Sequence, residues 1–128
     1  MTTSRGILYL IPSPIHTGVT SLNYFSETMF SVIRETSCFI VENIRTARRY
    51  IKKAVPEKDI DSIRFFVLNK HTKPEEYREF LAPLLNGADA GIISEAGCPG
   101  IADPGAEVVK AAHEHNLRVV PLPGPSSI

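Results

Sequence analysis

At 128 residues with 43% apolar content, the chain is long enough for one soluble globular domain with its own core. Lysine plus arginine and aspartate plus glutamate number 14 each, so no global field draws nucleic acid or a membrane, and any such partner must be met by a local patch. No apolar run approaches membrane-spanning length, no basic-then-apolar leader opens the sequence, and two cysteines with four histidines supply neither a disulfide framework nor a metal cluster. The expectation is a cytoplasmic protein with reduced thiols and no metal.

Ile7-Leu8-Tyr9-Leu10-Ile11 reads as a first strand, stopped by Pro12 and Pro14. A helix is predicted over residues 22–33 and a second strand over 38–41. Asn43 is suited to cap the next helix, in which Ile44, Ala47, Tyr50, Ile51 and Ala54 share one face before Pro56. Residues 63–68 form a bulky third strand. Thr72-Lys73-Pro74-Glu75 reads as a capping box with proline in the first turn. It opens a helix with Tyr77, Phe80, Leu81, Leu84 and Leu85 on one side, a kink predicted at Pro83 and a stop at Asn86-Gly87. Residues 90–93 are the fourth strand, Asp103-Pro104 starts the fourth helix, and Arg118-Val119-Val120 is the fifth strand. Continuous apolar strands alternating with helices predict an α/β fold: an open, mostly parallel five-stranded sheet with helices on both faces.

In such sheets the ligand crevice lies beyond the carboxyl ends of the strands. The loops expected at that edge are 12–18, 42–43, 69–72, 94–105 and 121–127, and three of the five, 12–18, 94–105 and 121–127, are rich in glycine and proline. Rigid turns with bare backbone suit a flat ligand held by main-chain groups. The stretch I-S-E-A-G-C-P-G-I-A-D-P-G at 93–105 is the extreme case, since a merely structural turn rarely needs so many special residues. Neither G-x-x-x-x-G-K-[ST] nor G-x-G-x-x-G occurs, which disfavours a triphosphate or dinucleotide. Glu42, Glu95 and Asp103 agree better with an adenosine-type ligand that lacks phosphate and carries its own positive charge.

Four ordered blocks, L-Y-L-I-P-S-P-I at 8–15, V-E-N-I-R-T-A-R-R-Y-I at 41–51, I-S-E-A-G-C-P-G-I-A-D-P-G-A-E-V-V-K-A-A at 93–112 and V-V-P-L-P-G-P-S-S-I at 119–128, resemble the tetrapyrrole methylase family. Within it they look most like the branch that methylates the 2'-hydroxyl of a ribose in small-subunit ribosomal RNA. The resemblance implies an S-adenosylmethionine-dependent, usually homodimeric methyltransferase of two α/β domains with the cofactor between them. Carried over by residue, it assigns the cofactor to Pro12, Pro14 and Ile15, to Ser94, Glu95, Ala96, Gly97, Cys98, Pro99, Ile101 and Ala102, and to Ser126 and Ser127 in the Pro123-Gly124-Pro125 turn. Residues 1–128 are then expected to be a single α/β domain, the N-terminal half of such an enzyme without its C-terminal domain, with little activity alone. His16-Thr17, Asn43 and Glu95 stand where the family pattern has Gly-Asn, Asp and Asp.

In-line methyl transfer needs the attacking atom, the methyl carbon and the sulfur held collinear, so positioning can carry most of the catalysis. A hydroxyl nucleophile also loses a proton, for which Glu42 and then His71 are the candidate general bases. Asn43, Arg45, Arg48 and Asn69 are the candidate substrate contacts, because the helix after Glu42, with Arg45, Arg48, Arg49, Lys52 and Lys53, is locally basic enough for RNA phosphates. Each has a plainer reading: the cations as a solvated helix face, Glu42 as a carboxylate near a helix N-terminus, His71 as a turn residue. Two other functions stay open, a methyltransferase acting on a small tetrapyrrole and a non-catalytic binding or dimerisation module.

Overall fold

The computed structural model describes residues 5–13, 26–69, 71–95 and 104–122. These form β1 (Ile7–Ser13), α1 (Glu27–Glu35), β2 (Cys38–Val41), α2 (Ile44–Ala54), β3 (Arg64–Val67), α3 (Tyr77–Leu85), β4 (Ala90–Glu95), α4 (Pro104–Glu114) and β5 (Arg118–Pro121), with 3-10 turns at Ile60–Ser62 and Pro74–Glu76. The sheet has five strands in the order β3-β2-β4-β1-β5, and every pairing is parallel. The α/β fold read from the sequence is the one observed.

Alternation along the strands sorts their side chains onto two faces. Ile11, Phe39, Val41 and Ile93 pack against Met29, Val32 and Ile33 of α1 and Ala47, Tyr50 and Ile51 of α2. Leu8, Ile40, Ala90 and Ile92 pack against Phe80, Leu81 and Leu84 of α3 and Val108 and Ala112 of α4. The first two helices therefore cover one face and the last two the other. This follows from strand order: connections β1 to β2 and β2 to β3 move one way along the sheet, those to β4 and β5 the other way, and right-handed crossovers put them on opposite sides.

Helix ends are built by local chemistry. Ser26 caps α1 and Asn43 caps α2, their side-chain oxygens accepting from the Met29 and Thr46 amides at 3.1 and 3.0 Å. The α3 terminus is a Schellman turn: Gly87 has φ 98°, and the Gly87 and Ala88 amides donate to the Leu84 and Pro83 carbonyls. Asn116, at φ 59°, ends α4 in the same way, with bonds from Asn116 and Leu117 to His113 and Ala112.

Several local expectations are corrected. β1 does not stop at Pro12, because Leu122 N donates to Leu10 O and so the even residues of β1 face β5. The missing amide of Pro12 lies on that side, past the last β5 pairing at Pro121, and the pairing with β4 continues through Ser13. For the same reason β4 runs to Glu95 rather than ending at 93. Thr72 does not cap the third helix, since its hydroxyl accepts from the Asn69 amide at 3.0 Å. The Glu76 carboxylate instead accepts from the Lys73 amide at 2.7 Å, and a 3-10 turn precedes α3. The first helix covers 27–35 rather than 22–33, with 22–25 outside the described residues. Ile44 and Leu85, read as core-facing, are each 37% exposed at the rims of their helices.

Candidate functional site

All five strands are parallel, so their carboxyl ends share one edge. Register fixes who meets there. Pro12 is paired with Ser94 and Ser13 with Glu95, so two blocks of the expected cofactor site, about 80 positions apart in the chain, end side by side on the central strands. Ile40 pairs with Ile92 and Val41 with Val67. Counting on from those pairs aligns Leu68, Glu42, Ser94 and Pro12 in one row across four strands.

The neighbours β1 and β4 also send their chains to opposite faces, to α1 and α4. In an open parallel sheet, the point where adjacent strands diverge in this way is the usual position of the ligand crevice. No lysine or arginine stands in the row, whose polar members are a carboxylic acid and a serine. A row of positions without a cationic residue suits a ligand carrying positive charge better than a phosphate. Pro14, Ile15, Ala96, Gly97, Cys98, Pro99, Ile101, Ala102, Ser126 and Ser127 lie outside the described residues.

The two candidate bases are not equivalent. Glu42 is exposed at the end of β2, one strand spacing, about 5 Å, from β4. His71 follows β3, the edge strand, roughly twice as far from β4. Its amide donates to Asn69 Oδ1 at 2.8 Å, while the Asn69 amide donates to Thr72 Oγ1. Asn69 and His71 thus build a tight turn. Asn43 Oδ1 is engaged as the α2 cap, accepting from both the amide and the hydroxyl of Thr46 at 3.0 and 3.2 Å. Arg45 stands exposed in the first turn of α2, close to the carboxyl edge. Arg48 lies about one turn further from that edge, where Nη2 meets Asp61 Oδ1 at 3.1 Å.

One residue at this edge escaped the sequence reading. Tyr50 is buried at 6% exposure, and its hydroxyl donates to the Pro12 carbonyl at 2.7 Å. Its position in the apolar period of α2 marked it only as core, and nothing local signals a partner 38 residues away. Cys38 begins β2 at the opposite, amino edge. Burial pushes its thiol up to about 11, against a smaller downward pull from the Arg64 guanidinium, so it is a packed side chain and not a nucleophile. Among the described residues, no group of three or more His, Cys, Asp and Glu could hold a metal ion, and no helix is long and apolar enough to cross a membrane.

No protein-family model matches the chain. Along 122 residues, 95% of its length, it is 31% identical to the ribosomal RNA small subunit methyltransferase I of Escherichia coli O157:H7, and spans 40% of that protein. The proteins of the same name from Pseudomonas aeruginosa and Synechocystis are 31% and 29% identical over 94% and 96% of the chain, which spans 40% and 41% of them. The chain therefore spans about two-fifths of the length of these curated relatives. Among solved structures, uroporphyrin III C-methyltransferase of Thermus thermophilus superposes with a TM-score of 0.60 at 17% identity, over 95% of this chain and 50% of that one. A conserved hypothetical protein of Aeropyrum pernix K1 gives 0.60 at 18%, over 95% and 40%. Along nearly its whole length the chain is thus homologous to proteins named ribosomal RNA small subunit methyltransferase I, and its fold is one shared with a tetrapyrrole methyltransferase.

Proposed function

We propose that the chain is the crevice-bearing part of an S-adenosylmethionine-dependent methyltransferase that modifies ribosomal RNA of the small subunit at a ribose 2'-hydroxyl. The observation that carries this reading is the pairing of Pro12 with Ser94, which unites the two expected cofactor blocks where β1 and β4 diverge. The names of the relatives supply the substrate class.

When bound, the cofactor supplies an electrophilic methyl group on a positively charged sulfur. The chain's own contribution is to hold and orient. The ends of β1 and β4 present main-chain groups to a flat ligand, and Pro14, Ile15, residues 96–99, Ile101, Ala102, Ser126 and Ser127 are proposed to complete its walls. Glu42, nearer the crevice than His71, accepts the proton of the attacking hydroxyl. Arg45 and Arg48, with Asn43 and Asn69, face the RNA. We further propose a cytoplasmic homodimer that works without metal.

Titration calorimetry of S-adenosylhomocysteine into the full-length protein, with Gly97→Val as control, tests the cofactor. Heat that disappears in the variant supports the assignment; silence in both folded proteins sinks it and leaves a non-catalytic binding module. The fold shared with uroporphyrin III C-methyltransferase favours a tetrapyrrole substrate as the second reading. Methyl transfer to a tetrapyrrole, with none to small-subunit RNA, would select it.

A further inference from the structure

The chain is electrically neutral overall, with 14 lysines and arginines against 14 acids, yet its cations are not evenly spread. α2 is 11 residues long, with the sequence I-R-T-A-R-R-Y-I-K-K-A, and holds five of the 14 with no acid. Arg45, Arg48, Arg49, Lys52 and Lys53 are all exposed, while Ala47, Tyr50, Ile51 and Ala54 are buried. At about 3.6 residues per turn the five cations therefore share one face, opposite the buried one.

That face continues into a groove of about 490 Å³ between α2 and the Ile60–Ser62 turn, lined by Arg48, Arg49, Lys52, Lys58, Asp59 and Asp61 among others. Its two acids are already engaged. Asp61 Oδ1 meets Arg48 Nη2 at 3.1 Å, and Asp59 Oδ1 accepts from the Asp61 amide at 3.1 Å. Lys58 Nζ is turned to the Arg34 carbonyl at 2.7 Å. Among the described residues, Arg49 and Lys52 have neither an ion-pair partner nor a side-chain hydrogen bond, and with four cations against two acids the groove is net positive.

We propose that the outer face of α2 and this groove form a track for the phosphate backbone of a single-stranded RNA segment flanking the nucleotide in the crevice, with Arg49 and Lys52 as its principal phosphate contacts. The proposal rests on the RNA methyltransferase reading and extends its α2 contacts, Arg45 and Arg48, along the helix to Arg49, Lys52 and the groove. Geometry supports the direction of the track. α2 begins at the carboxyl edge beside Glu42 and runs back for about 16 Å. Its cations recur every three to four residues, about 5 to 6 Å along the axis, a step comparable to that between neighbouring phosphates of one strand. Contacts of this kind position a nucleic acid without reading its sequence.

The test measures affinity of the full-length protein for a single-stranded RNA oligonucleotide across a range of salt concentrations. The Arg49→Glu, Lys52→Glu double variant is set against Arg78→Glu, Lys110→Glu, an equal charge change at exposed positions on the helices of the opposite face. The track predicts roughly tenfold or greater weakening in the first variant and a salt slope shallower by about 1.4, two contacts at about 0.7 each. The second variant should bind like the parent. Equal effects of the two double variants, or a parent that does not bind RNA, would overturn the track. Titration of S-adenosylhomocysteine into the same proteins separates the two ideas: retained heat with an indifferent α2 removes only the track, whereas silence removes the methyltransferase reading beneath it.

Discussion

Tyr50 in α2 and Pro12 in β1 are joined by a hydrogen bond of 2.7 Å from the phenol to the proline carbonyl. The bond links the helix that carries the basic face to the strand end that borders the crevice. Tyr50→Phe keeps the buried ring and removes only the donor. It is expected to cost about 1 kcal/mol in urea unfolding and to weaken S-adenosylhomocysteine binding in calorimetry, because the end of β1 loses its tie. Unchanged stability and binding would mean that packing alone holds Pro12.

Asn43 stands where the resembling family has aspartate, and the structure makes it the α2 cap. Asn43→Ala should cost about 1 kcal/mol, and Asn43→Asp should preserve stability, since either side chain offers the same acceptor to the Thr46 amide. Thermal midpoints of the two variants check this. An aspartate variant as unstable as alanine would contradict the capping role.

Two glycines differ in what a methyl group would meet. A Cβ at Gly6 would lie 1.7 Å from the Ala88 carbonyl oxygen, which is backbone. A Cβ at Gly91 would lie 2.7 Å from Ile11 Cδ1, the flexible end of a side chain. Gly6→Ala is therefore expected to cost more than Gly91→Ala, with overpacking of about 1–3 kcal/mol bracketing the pair. Chemical denaturation of both variants gives the order, and equal costs would show that the segment carrying Gly6 moves aside easily.

The Cys38 thiol, raised from 9.0 to about 11 by burial, gives a pH signature. Below pH 9 it is neutral in both the folded and the unfolded chain. Between 9 and about 11 the unfolded chain releases this proton while the folded one keeps it, so stability falls as pH rises through that window. Cys38→Ala should flatten this part of the profile relative to the parent. Alkylation at pH 8 should likewise be slow for Cys38 until urea is added.

Much of the fold was legible because it is written locally. The period of Ala47, Tyr50, Ile51 and Ala54, the cap at Asn43 and the stop at Asn86-Gly87 each involve residues within a few positions of one another, and each appears as read. Pro12 and Thr72 were misread because their roles depend on neighbours the sequence does not reveal: the last pairing of β5 for the proline, the Asn69 amide for the threonine. The candidate site divides in the same way. The glycine- and proline-rich composition of 93–105 and the basic run 45–53 were visible as residues. That Pro12 meets Ser94, that Glu42 stands nearer the crevice than His71, and that Tyr50 reaches Pro12 follow from the strand order β3-β2-β4-β1-β5. Hydrophobic period and turn chemistry are properties of short stretches and determine the elements. Strand order is settled by packing two apolar faces at once between residues far apart in the chain, and only the tertiary structure decides it.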